Sequence, residues 1–417
     1  MSFSYPWSDL TPADWSELAK THGSPFYLFD ADAVVRRIKQ VREALANQVQ
    51  VYYAVKANPN LGLLRALQPS ADGVDISSGG ELAQALLAGF DPARMSFAGP
   101  AKTDAELEAA ISVGVGCISV ESMREIDACA SIADRLRTPA RLLLRVNPQL
   151  PSRAYGIKMG GRPVQFAIDE EALPEAEARV LAHGARLELV GIHAYVGSQC
   201  FDPGAIASAT ENALRIAGEV ERRTGIACRK VNLGGGFGVA VSGERRELDL
   251  TATATQLLPA LQAFRSTRPE CVMLFELGRF LTAEAGIYVT SVVSSKNSRG
   301  KPFVTCDGGL NHQLAAAGTF GAALRGNFPL VNLSRPQGAV GPCSIAGPSC
   351  NPTDLLGVDA QLAEPGEGDL LGVPMSGAYG LTASPMLFLG RDTPIELVRS
   401  GGQFSVGRRR YTITDFN

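Results

Sequence analysis

A single lysine ends an apolar run in the stretch Val51-Tyr-Tyr-Ala-Val-Lys56-Ala-Asn-Pro-Asn60. The β-branched and aromatic residues before the lysine favour a strand, and the Asn-Pro pair after it stops that strand and begins a turn. A lysine at the end of a buried strand is costly unless its amine is paired or covalently used. One covalent use is a Schiff base with a carbonyl compound, and the plain alternative is a snorkelling lysine. The residues further along the chain decide between the two.

Short apolar runs recur along the chain from this stretch onwards. They predict eight strands, at 51–56, 73–77, 95–99, 116–120, 141–147, 189–196, 230–236 and 272–279. Helical patterns separate most of them, for example Gly80–Ala88, Asp104–Val113 and Ser122–Arg137. Buried strands that alternate with helices are typical of a parallel sheet. Eight such units in about 230 residues match the size of a TIM (β/α)8 barrel.

The pattern changes after about residue 285, where the helical periodicity stops. Further strands, separated by turns with Gly and Pro, are predicted at 287–295, 303–307, 330–333, 369–373, 387–389, 395–399 and 410–413. We therefore expect an α/β protein with a TIM barrel followed by a mainly β C-terminal domain. The predicted parts are an N-terminal segment, 1–30, whose strand at 25–30 joins the β domain, a barrel over 31–284, and the β domain over 285–417.

Composition excludes several other classes of protein. The 417 residues are 45% hydrophobic with a net charge of −3, and no basic run indicates nucleic acid. The eight cysteines are scattered without a CxxC pair or a metal-ligand spacing, as is typical of free thiols in a reducing cytoplasm. The N-terminus has no basic and apolar leader, and no run is long enough to cross a membrane. A soluble cytoplasmic protein without a membrane or nucleic-acid partner is expected.

Reactive residue types recur where the predicted barrel strands end, which is where TIM barrels place their chemistry. Lys56 ends the first strand, His193 lies in the sixth, and the run Gly234-Gly-Gly236 follows the seventh. The eighth strand ends in Glu276-Leu-Gly278-Arg279. Consecutive glycines allow backbone N–H groups to approach a phosphate, although such a run is also found in plain loops.

The other two side chains also have two readings each. A glutamate beside a pyridine nitrogen keeps that nitrogen protonated and strengthens a cofactor as an electron sink; otherwise Glu276 forms a salt bridge with Arg279. His193 either stacks on a ring or is an ordinary core histidine. The convergence of all these residue types on successive strand ends favours the catalytic readings.

Six motifs in one order resemble the fold-type III pyridoxal-phosphate decarboxylases, which include the diaminopimelate, ornithine and arginine decarboxylases. The resemblance covers about residues 25 to 390. The motifs are Tyr53-Ala-Val-Lys56-Ala-Asn, His193-x-x-x-Gly-Ser198-Gln199, Gly234-Gly-Gly-Phe-Gly238, Glu276-x-Gly-Arg279, Gly347-Pro-Ser-Cys350-x-x-x-Asp354 and Gly377-Ala-Tyr379-Gly.

The resemblance implies a role for each matching position. Lys56 bonds covalently to pyridoxal 5'-phosphate, His193 stacks on its ring, and Glu276 binds the pyridine nitrogen. The phosphate is held by Ser198, Gly235, Gly236, Gly278, Arg279 and Tyr379. The family forms homodimers with shared active sites, in which Cys350 and Asp354 enter the partner's site and Cys350 supplies a proton. The plain alternative for Cys350 is an inert buried thiol.

The sequence departs from diaminopimelate decarboxylases where the substrate's far end is bound. Asn351 replaces their acidic residue, and no arginine follows Gly309 before Arg325, so the expected carboxylate clamp is missing. The predicted substrate residues are therefore Asn311, His312, Asn351 and Asp354. This lining favours an amino acid that is conjugated or carrier-linked, as in the branch that serves siderophore, antibiotic and exopolysaccharide pathways.

Three other functions stay open at this point. A diaminopimelate decarboxylase of lysine biosynthesis shares the cofactor motifs. A racemase needs a second base opposite Lys56 and no Cys350–Asp354 motif. A non-catalytic homologue is expected to have lost residues such as His193 and Glu276, which are present.

Overall fold

The computed structural model describes residues 5–150, 153–241, 247–318 and 326–417. Its strands as far as the end of the barrel are β1 (Phe26–Asp30), β2 (Gln50–Ala54), β3 (Gly73–Ile76), β4 (Met95–Phe97), β5 (Cys117–Val120), β6 (Ala140–Asn147), β7 (Tyr155–Lys158), β8 (Ile168–Asp169), β9 (Leu187–Ala194), β10 (Gly197–Cys200), β11 (Lys230–Gly235) and β12 (Val272–Leu277). Its helices are α1 (Pro12–His22), α2 (Ala31–Ala44), α3 (Leu61–Leu67), α4 (Gly79–Leu87), α5 (Asp104–Val113), α6 (Met123–Leu136), α7 (Leu173–Ala182), α8 (Pro203–Thr224), α9 (Leu250–Thr267) and α10 (Arg279–Thr282).

Eight parallel strands close into a barrel. Their order is β2, β3, β4, β5, β6, β9, β11 and β12, and β12 pairs with β2 to complete the ring. All eight predicted strands are confirmed, because their long buried runs have no polar face for solvent. The fold is the predicted TIM barrel followed by a largely β region.

Local sequence sets the start of the helices that follow three barrel strands. Ser78, Thr103 and Ser122 each accept a hydrogen bond from the backbone N–H three residues on, at the first turns of α4, α5 and α6. A glutamate occupies that third position each time, and at Thr103 its carboxylate completes a capping box. These caps fix where each strand-end loop turns, and so fix the rim of the barrel.

The remaining strands form a second sheet. They are β13 (Gly286–Ser298), β14 (Lys301–Cys306), β15 (Val331–Asn332), β16 (Val340–Ala346), β17 (Leu355–Ala363), β18 (Leu370–Pro374), β19 (Ile395–Ser400) and β20 (Gln403–Arg408). The N-terminal strand β1 lies in this sheet, antiparallel to β13 and parallel to β19. The domain boundaries after residues 30 and 284 remain our proposal.

Two predicted strands of this region are wrong. Residues 387–389 form a helical turn in which Leu389 has a φ of 60°, and residues 410–413 lie outside any strand. The sequence prediction also missed β16, β17 and β20. The run Val340-Gly-Pro-Cys in β16 has low strand propensity, and β20 exposes several of its residues, so neither gives a clear apolar pattern.

One loop of the second sheet is fixed onto the mouth of the barrel. The backbone N–H of Tyr379 donates to the Ala57 carbonyl at 2.7 Å, and Asn58 Nδ2 donates to the Gly377 carbonyl at 3.1 Å. On the barrel side, the acceptor Ala57 and the donor Asn58 are the two residues that directly follow Lys56. The loop that carries Tyr379 is therefore held beside the end of the first barrel strand. No helix among the described residues is long and apolar enough to cross a membrane.

Candidate active site

A cavity of about 410 Å³ opens at the C-terminal ends of the barrel strands. Its lining includes Lys56 after β2, Arg145 from β6, His193 from β9 and Glu276 from β12. Of the predicted cofactor residues, Ser198, Gly236, Gly278, Arg279 and Tyr379 also line it, whereas Gly235 does not. The strand ends thus bring together residues that are distant in sequence, and the volume suits a cofactor-sized molecule.

Lys56 lies on the floor of this cavity beside a carboxylate. Its Nζ is 3.0 Å from Asp75 Oδ2, and Asp75 has no exposed surface. Burial lowers the pKa of Lys56, but the carboxylates of Asp75 and Glu276 more than offset this and hold the pKa above its ordinary value. The side chain is 46% exposed, and the exposed part is cavity wall. The amine is therefore charged and reachable only through the cavity.

Glu276 is a buried carboxyl held by polar neighbours. Its Oε1 accepts hydrogen bonds from Asn232 Nδ2 and, at 3.3 Å, from Ser96 Oγ. Burial, helped by the negative charge of Asp75, raises the pKa of Glu276 to about 8. The alternative of a salt bridge with Arg279 does not occur among these contacts. Because its raised pKa disfavours the ionised carboxylate, Glu276 would be stabilised in that form by a positively charged partner.

His193 is a neutral imidazole at the same end of the barrel. Burial and the nearby positive charges, first that of Arg145, lower its pKa well below the ordinary value. Ser119 Oγ lies 3.0 Å from its Nδ1. Its Nε2 is 3.5 Å from Glu276 Oε2 but makes no hydrogen bond to the described residues. Since the ring is neutral, this approach is not a salt bridge.

The glycine run Gly234–Gly236, at the end of β11, passes too close to other backbone for any side chain. A Cβ at Gly236, where φ is +86°, would lie 1.9 Å from the Gly197 carbonyl oxygen. A Cβ at Gly235 would lie 2.0 Å from the Glu276 carbonyl oxygen, because Gly235 pairs with Glu276 in the sheet. Gly236 therefore presents bare backbone to the cavity, and Gly235 supports it from the sheet.

Arg279 and Tyr379 form the other side of this region. The Arg279 guanidinium lies 4.5 Å from the centroid of the Tyr379 ring, a cation–π contact, and both line the cavity. Burial lowers the pKa of Arg279, but an arginine stays charged at neutral pH. Together with Ser198 and Gly236, this pair makes a cationic, hydrogen-bonding corner suited to a phosphate.

Several site residues were missed by the sequence prediction. The position of Asp75 near the end of β3, where TIM barrels place their chemistry, was the signal that could have identified it. Arg145 interrupts an apolar strand, and its Nη1 lies 2.5 Å from Glu121 Oε1, so its charge is balanced. Three further lining residues are apolar and come from the connection between β6 and β8; we call them the apolar wall, Ile157, Met159 and Phe166.

The predicted substrate residues Asn311 and His312 lie in the turn that follows β14, and neither lines the cavity. Tyr288 OH is 3.1 Å from His312 Nδ1, and the Asp392 carbonyl accepts from Nε2 at 2.9 Å. Burial lowers the pKa of His312 to about 4. The ring of His312 is therefore neutral and already hydrogen-bonded within its own chain.

The carboxylate of Asp354, another predicted substrate residue, is occupied by groups of its own chain. Asp354 is buried, and its carboxylate accepts hydrogen bonds from Leu310 N at 2.6 Å, Ser349 N at 2.9 Å and Ser349 Oγ. It joins the loop after β16 to the turn after β14. Asn351 Oδ1 caps the same loop through Thr353 N at 3.0 Å. Arg325, the first arginine after Gly309, lies outside the described residues.

Cys350 stands apart from the other cysteines. It is exposed, whereas the other seven are buried. It lies in the loop that Asp354 supports, and it does not line the cavity of its own chain. The plain reading of an inert buried thiol is therefore wrong.

Comparison with known proteins defines the class. Residues 31–283 match the pyridoxal-binding domain of the pyridoxal-dependent decarboxylases. An L-glutamyl-(BtrI acyl-carrier protein) decarboxylase from Niallia circulans is 36% identical over 98% of this chain and 96% of that protein. A diaminopimelate decarboxylase from Methanothermobacter thermautotrophicus is 32% identical over 97% of this chain and 93% of that protein.

A solved structure gives the same picture. The diaminopimelate decarboxylase of Helicobacter pylori, complexed with L-lysine, has a TM-score of 0.84 and 30% identity, covering 96% of this chain and 98% of that one. The fold and site thus define a pyridoxal-phosphate-dependent lyase. The chain belongs to the fold-type III pyridoxal-dependent decarboxylases and is an amino-acid decarboxylase with pyridoxal 5'-phosphate as its cofactor.

The residues present fit this cofactor. His193 Nε2 and Asp75 Oδ1 are buried polar atoms without a hydrogen-bond partner in the described residues, and both belong to this site. The Lys56 amine faces the cavity, and Gly236 leaves room for a phosphate against its backbone. No cluster of possible metal ligands occurs in the described part of the chain.

Proposed function

We propose that this enzyme decarboxylates an amino acid whose distal carboxyl is joined to a carrier protein as a thioester. The observation that carries the proposal is the apolar wall, whose own side chains carry no charge for a free distal carboxylate or ammonium. The cation beside it, Arg145, lies 5.6 Å from the centroid of the Phe166 ring and is paired with Glu121. Residues 310–318 contain no arginine, and Ala315 and Ala316 are buried there. The similarity to a decarboxylase of a carrier-linked glutamyl group supports the same substrate class.

The proposed cofactor contacts follow from the geometry. Bound pyridoxal phosphate supplies the sink for the electron pair released when CO₂ leaves. Lys56 would hold the cofactor at its carbonyl carbon, and Asp75 Oδ2, 3.0 Å from the Lys56 Nζ, would hold the amine in position. Glu276 faces the pyridine nitrogen and keeps it protonated, and the neutral ring of His193 stacks on the cofactor.

The phosphate is assigned to the corner opposite the pyridine nitrogen. Gly236 and Gly278 provide close backbone approach, Gly235 supports that backbone, and Ser198 supplies a hydroxyl. Arg279 supplies the charge, and Tyr379 holds its guanidinium in place. These residues would hold the phosphate and so orient the cofactor towards Lys56.

The overall reaction breaks the bond between the α-carbon and its carboxyl carbon, releases CO₂ and places a proton on the α-carbon. We assign that proton to the Cys350 thiol of a second subunit. Cys350 is exposed and outside its own cavity, as a residue donated across an interface must be. The neighbouring turn exposes three apolar residues, Leu387, Phe388 and Leu389, at 49%, 40% and 52%. Such a patch suits a homodimer interface with shared active sites.

A second candidate is the decarboxylation of free diaminopimelate. It is favoured by the similarity to two diaminopimelate decarboxylases over nearly the whole chain. It requires a charged contact for the distal carboxylate that the apolar wall does not supply.

One assay separates the two candidates. CO₂ release is measured with a glutamyl-loaded acyl carrier protein, free glutamate and free meso-diaminopimelate. The expected result is turnover of the carrier-linked substrate with a kcat/KM at least about a hundredfold above both free amino acids. A kcat/KM of about 10⁴ M⁻¹s⁻¹ or more with free diaminopimelate would overturn the proposal.

A further inference from the structure

The connection from β6 to β8 has two chemically different faces. Ile157 and Met159 line the cavity, and Lys158 between them is exposed, as the alternation of a strand requires. Phe166 also lines the cavity, and Arg162 is exposed. We call the exposed cations the basic rim, Arg153, Lys158 and Arg162. The segment that forms the apolar wall thus carries positive charge on its outer side.

This segment is built into the fold. Strand β7 pairs antiparallel with β10, which places Ile157 opposite Ser198 of the phosphate corner. Gly161 N donates to Asn147 Oδ1 at 2.8 Å, and Ala167 N donates to Glu121 Oε2 at 3.0 Å. Both acceptors belong to the barrel, so the basic rim is held at a fixed position around the cavity.

The charge of the basic rim is not balanced locally. Residues 148–168 contain three cations and no Asp or Glu. None of the three makes an ion pair with the described residues. The nearest acidic residues along the chain have other partners: Asp169 accepts from Asn147 Nδ2 at 2.7 Å, and Glu170 pairs with Arg215 at 2.5 Å. Asp202 caps α8.

Two arginines elsewhere on the barrel surface are paired with carboxylates. Arg186 pairs with Asp134 at 2.9 Å, and Arg229 pairs with Glu188 at 2.5 Å. An unpaired group of like charges beside a cavity attracts an anionic partner and raises its rate of encounter. The position of the basic rim, on the outside of the wall that receives the substrate's distal part, connects that attraction to the active site.

We infer that the basic rim docks an acidic carrier protein and binds the phosphodiester of its phosphopantetheine arm, the group that carries the substrate as a thioester. The inference rests on the proposed function. Arg162 and Lys158 receive the phosphodiester, since guanidinium and ammonium groups are its usual partners. The arm then runs inward beside Met159 and Phe166, which accept the neutral thioester. Loss of docking should therefore raise the KM, whereas kcat should not change because it depends on the residues of the cavity.

The test uses the holoenzyme and a variant with Arg153→Glu, Lys158→Glu and Arg162→Glu. With glutamyl-loaded acyl carrier protein, the variant is expected to show a KM raised at least about tenfold and an unchanged kcat. With glutamyl pantetheine thioester, which lacks the protein and the phosphate, its kcat/KM should stay within twofold of the wild type. The matched control is Lys296→Glu, an exposed cation on β13, which should not change either KM.

The conservative variant Lys158→Arg with Arg162→Lys should restore the wild-type KM, and raised salt should increase the KM of the wild type more than that of the charge-reversed variant. An unchanged KM in the charge-reversed variant, with the wild type active on the carrier-linked substrate, overturns the docking site and leaves the proposed function intact. A wild type inactive on the carrier-linked substrate overturns both.

Discussion

Lys56 Nζ lies 3.0 Å from Asp75 Oδ2, a carboxylate without exposed surface, at the floor of the cavity. If this amine is the covalent attachment point, borohydride reduction of the holoenzyme should fix the cofactor to the peptide that contains Lys56. The visible absorption of the bound cofactor should disappear in the same step. Peptide mass spectrometry locates the label.

The control is Lys230→Ala. Lys230 begins β11 at the opposite end of the barrel, where its Nζ contacts Cys117 Sγ at 3.8 Å. Its removal should leave the labelling unchanged, whereas Lys56→Ala should abolish it. A label on any other lysine would contradict the assignment of Lys56.

The phosphate corner can be tested with a pair of glycines. Both Gly236 and Gly225 have positive φ, +86° and +70°, but a Cβ at Gly225 would meet nothing within 4 Å. Gly225→Ala should cost about 1 kcal/mol of stability and leave cofactor affinity unchanged. Gly236→Ala should lower cofactor affinity at least about tenfold, because its methyl group displaces backbone in the phosphate corner.

Titration of the apoenzyme with pyridoxal phosphate, followed by fluorescence, measures the affinity of both variants, and thermal unfolding measures stability. If Gly236→Ala bound pyridoxal phosphate with wild-type affinity, the glycine run would not be part of the phosphate site.

Shared active sites predict complementation between two inactive variants. Lys56→Ala and Cys350→Ala homodimers should each be inactive. After subunit exchange, half of the dimers are mixed and each mixed dimer has one intact site, so about a quarter of the wild-type activity should return. Activity is measured as CO₂ release, and exchange is verified with differently tagged subunits. Proven exchange without any recovery would place Cys350 outside the partner's site.

The buried His312 predicts a pH effect on stability. Its pKa is lowered from 6.5 to about 4 by burial, so between these pH values the unfolded chain binds a proton that the folded chain does not. The free energy of unfolding therefore falls as the pH drops from about 6.5 to about 4, by a total on the order of 3 kcal/mol.

His312→Gln keeps a donor for the Asp392 carbonyl and removes the titration. Denaturant unfolding at pH 7 and pH 5 should show a smaller loss of stability in this variant than in the wild type. His22→Gln, at the end of α1, should behave as the wild type does. Equal losses in the wild type and His312→Gln would mean that His312 titrates normally.

The barrel could be predicted because each strand is a continuous apolar run, and the strand ends then placed Lys56, His193 and Glu276 together. The second sheet was harder to predict, since strands such as β16 contain Gly and Pro and expose part of their surface. The residues of the phosphate corner were predicted only from the family motifs that contain Ser198, Gly236, Arg279 and Tyr379. The burial of His312 could not be predicted, because its partners Tyr288 and Asp392 are distant in sequence. The siderophore pathway remains a prediction.

Glu121 organises three separate segments with one carboxylate. It accepts from Gly99 N at 2.7 Å, from Arg145 at 2.5 Å and from Ala167 N at 3.0 Å. The path of the backbone around the cavity is therefore set by a group that no substrate touches. If the apolar wall receives the acyl tail as proposed, changes at Met159 or Phe166 would alter which tail is accepted while this frame stays in place. Under that proposal, substrate range can diversify by point mutation without a change in the residues proposed to hold the cofactor.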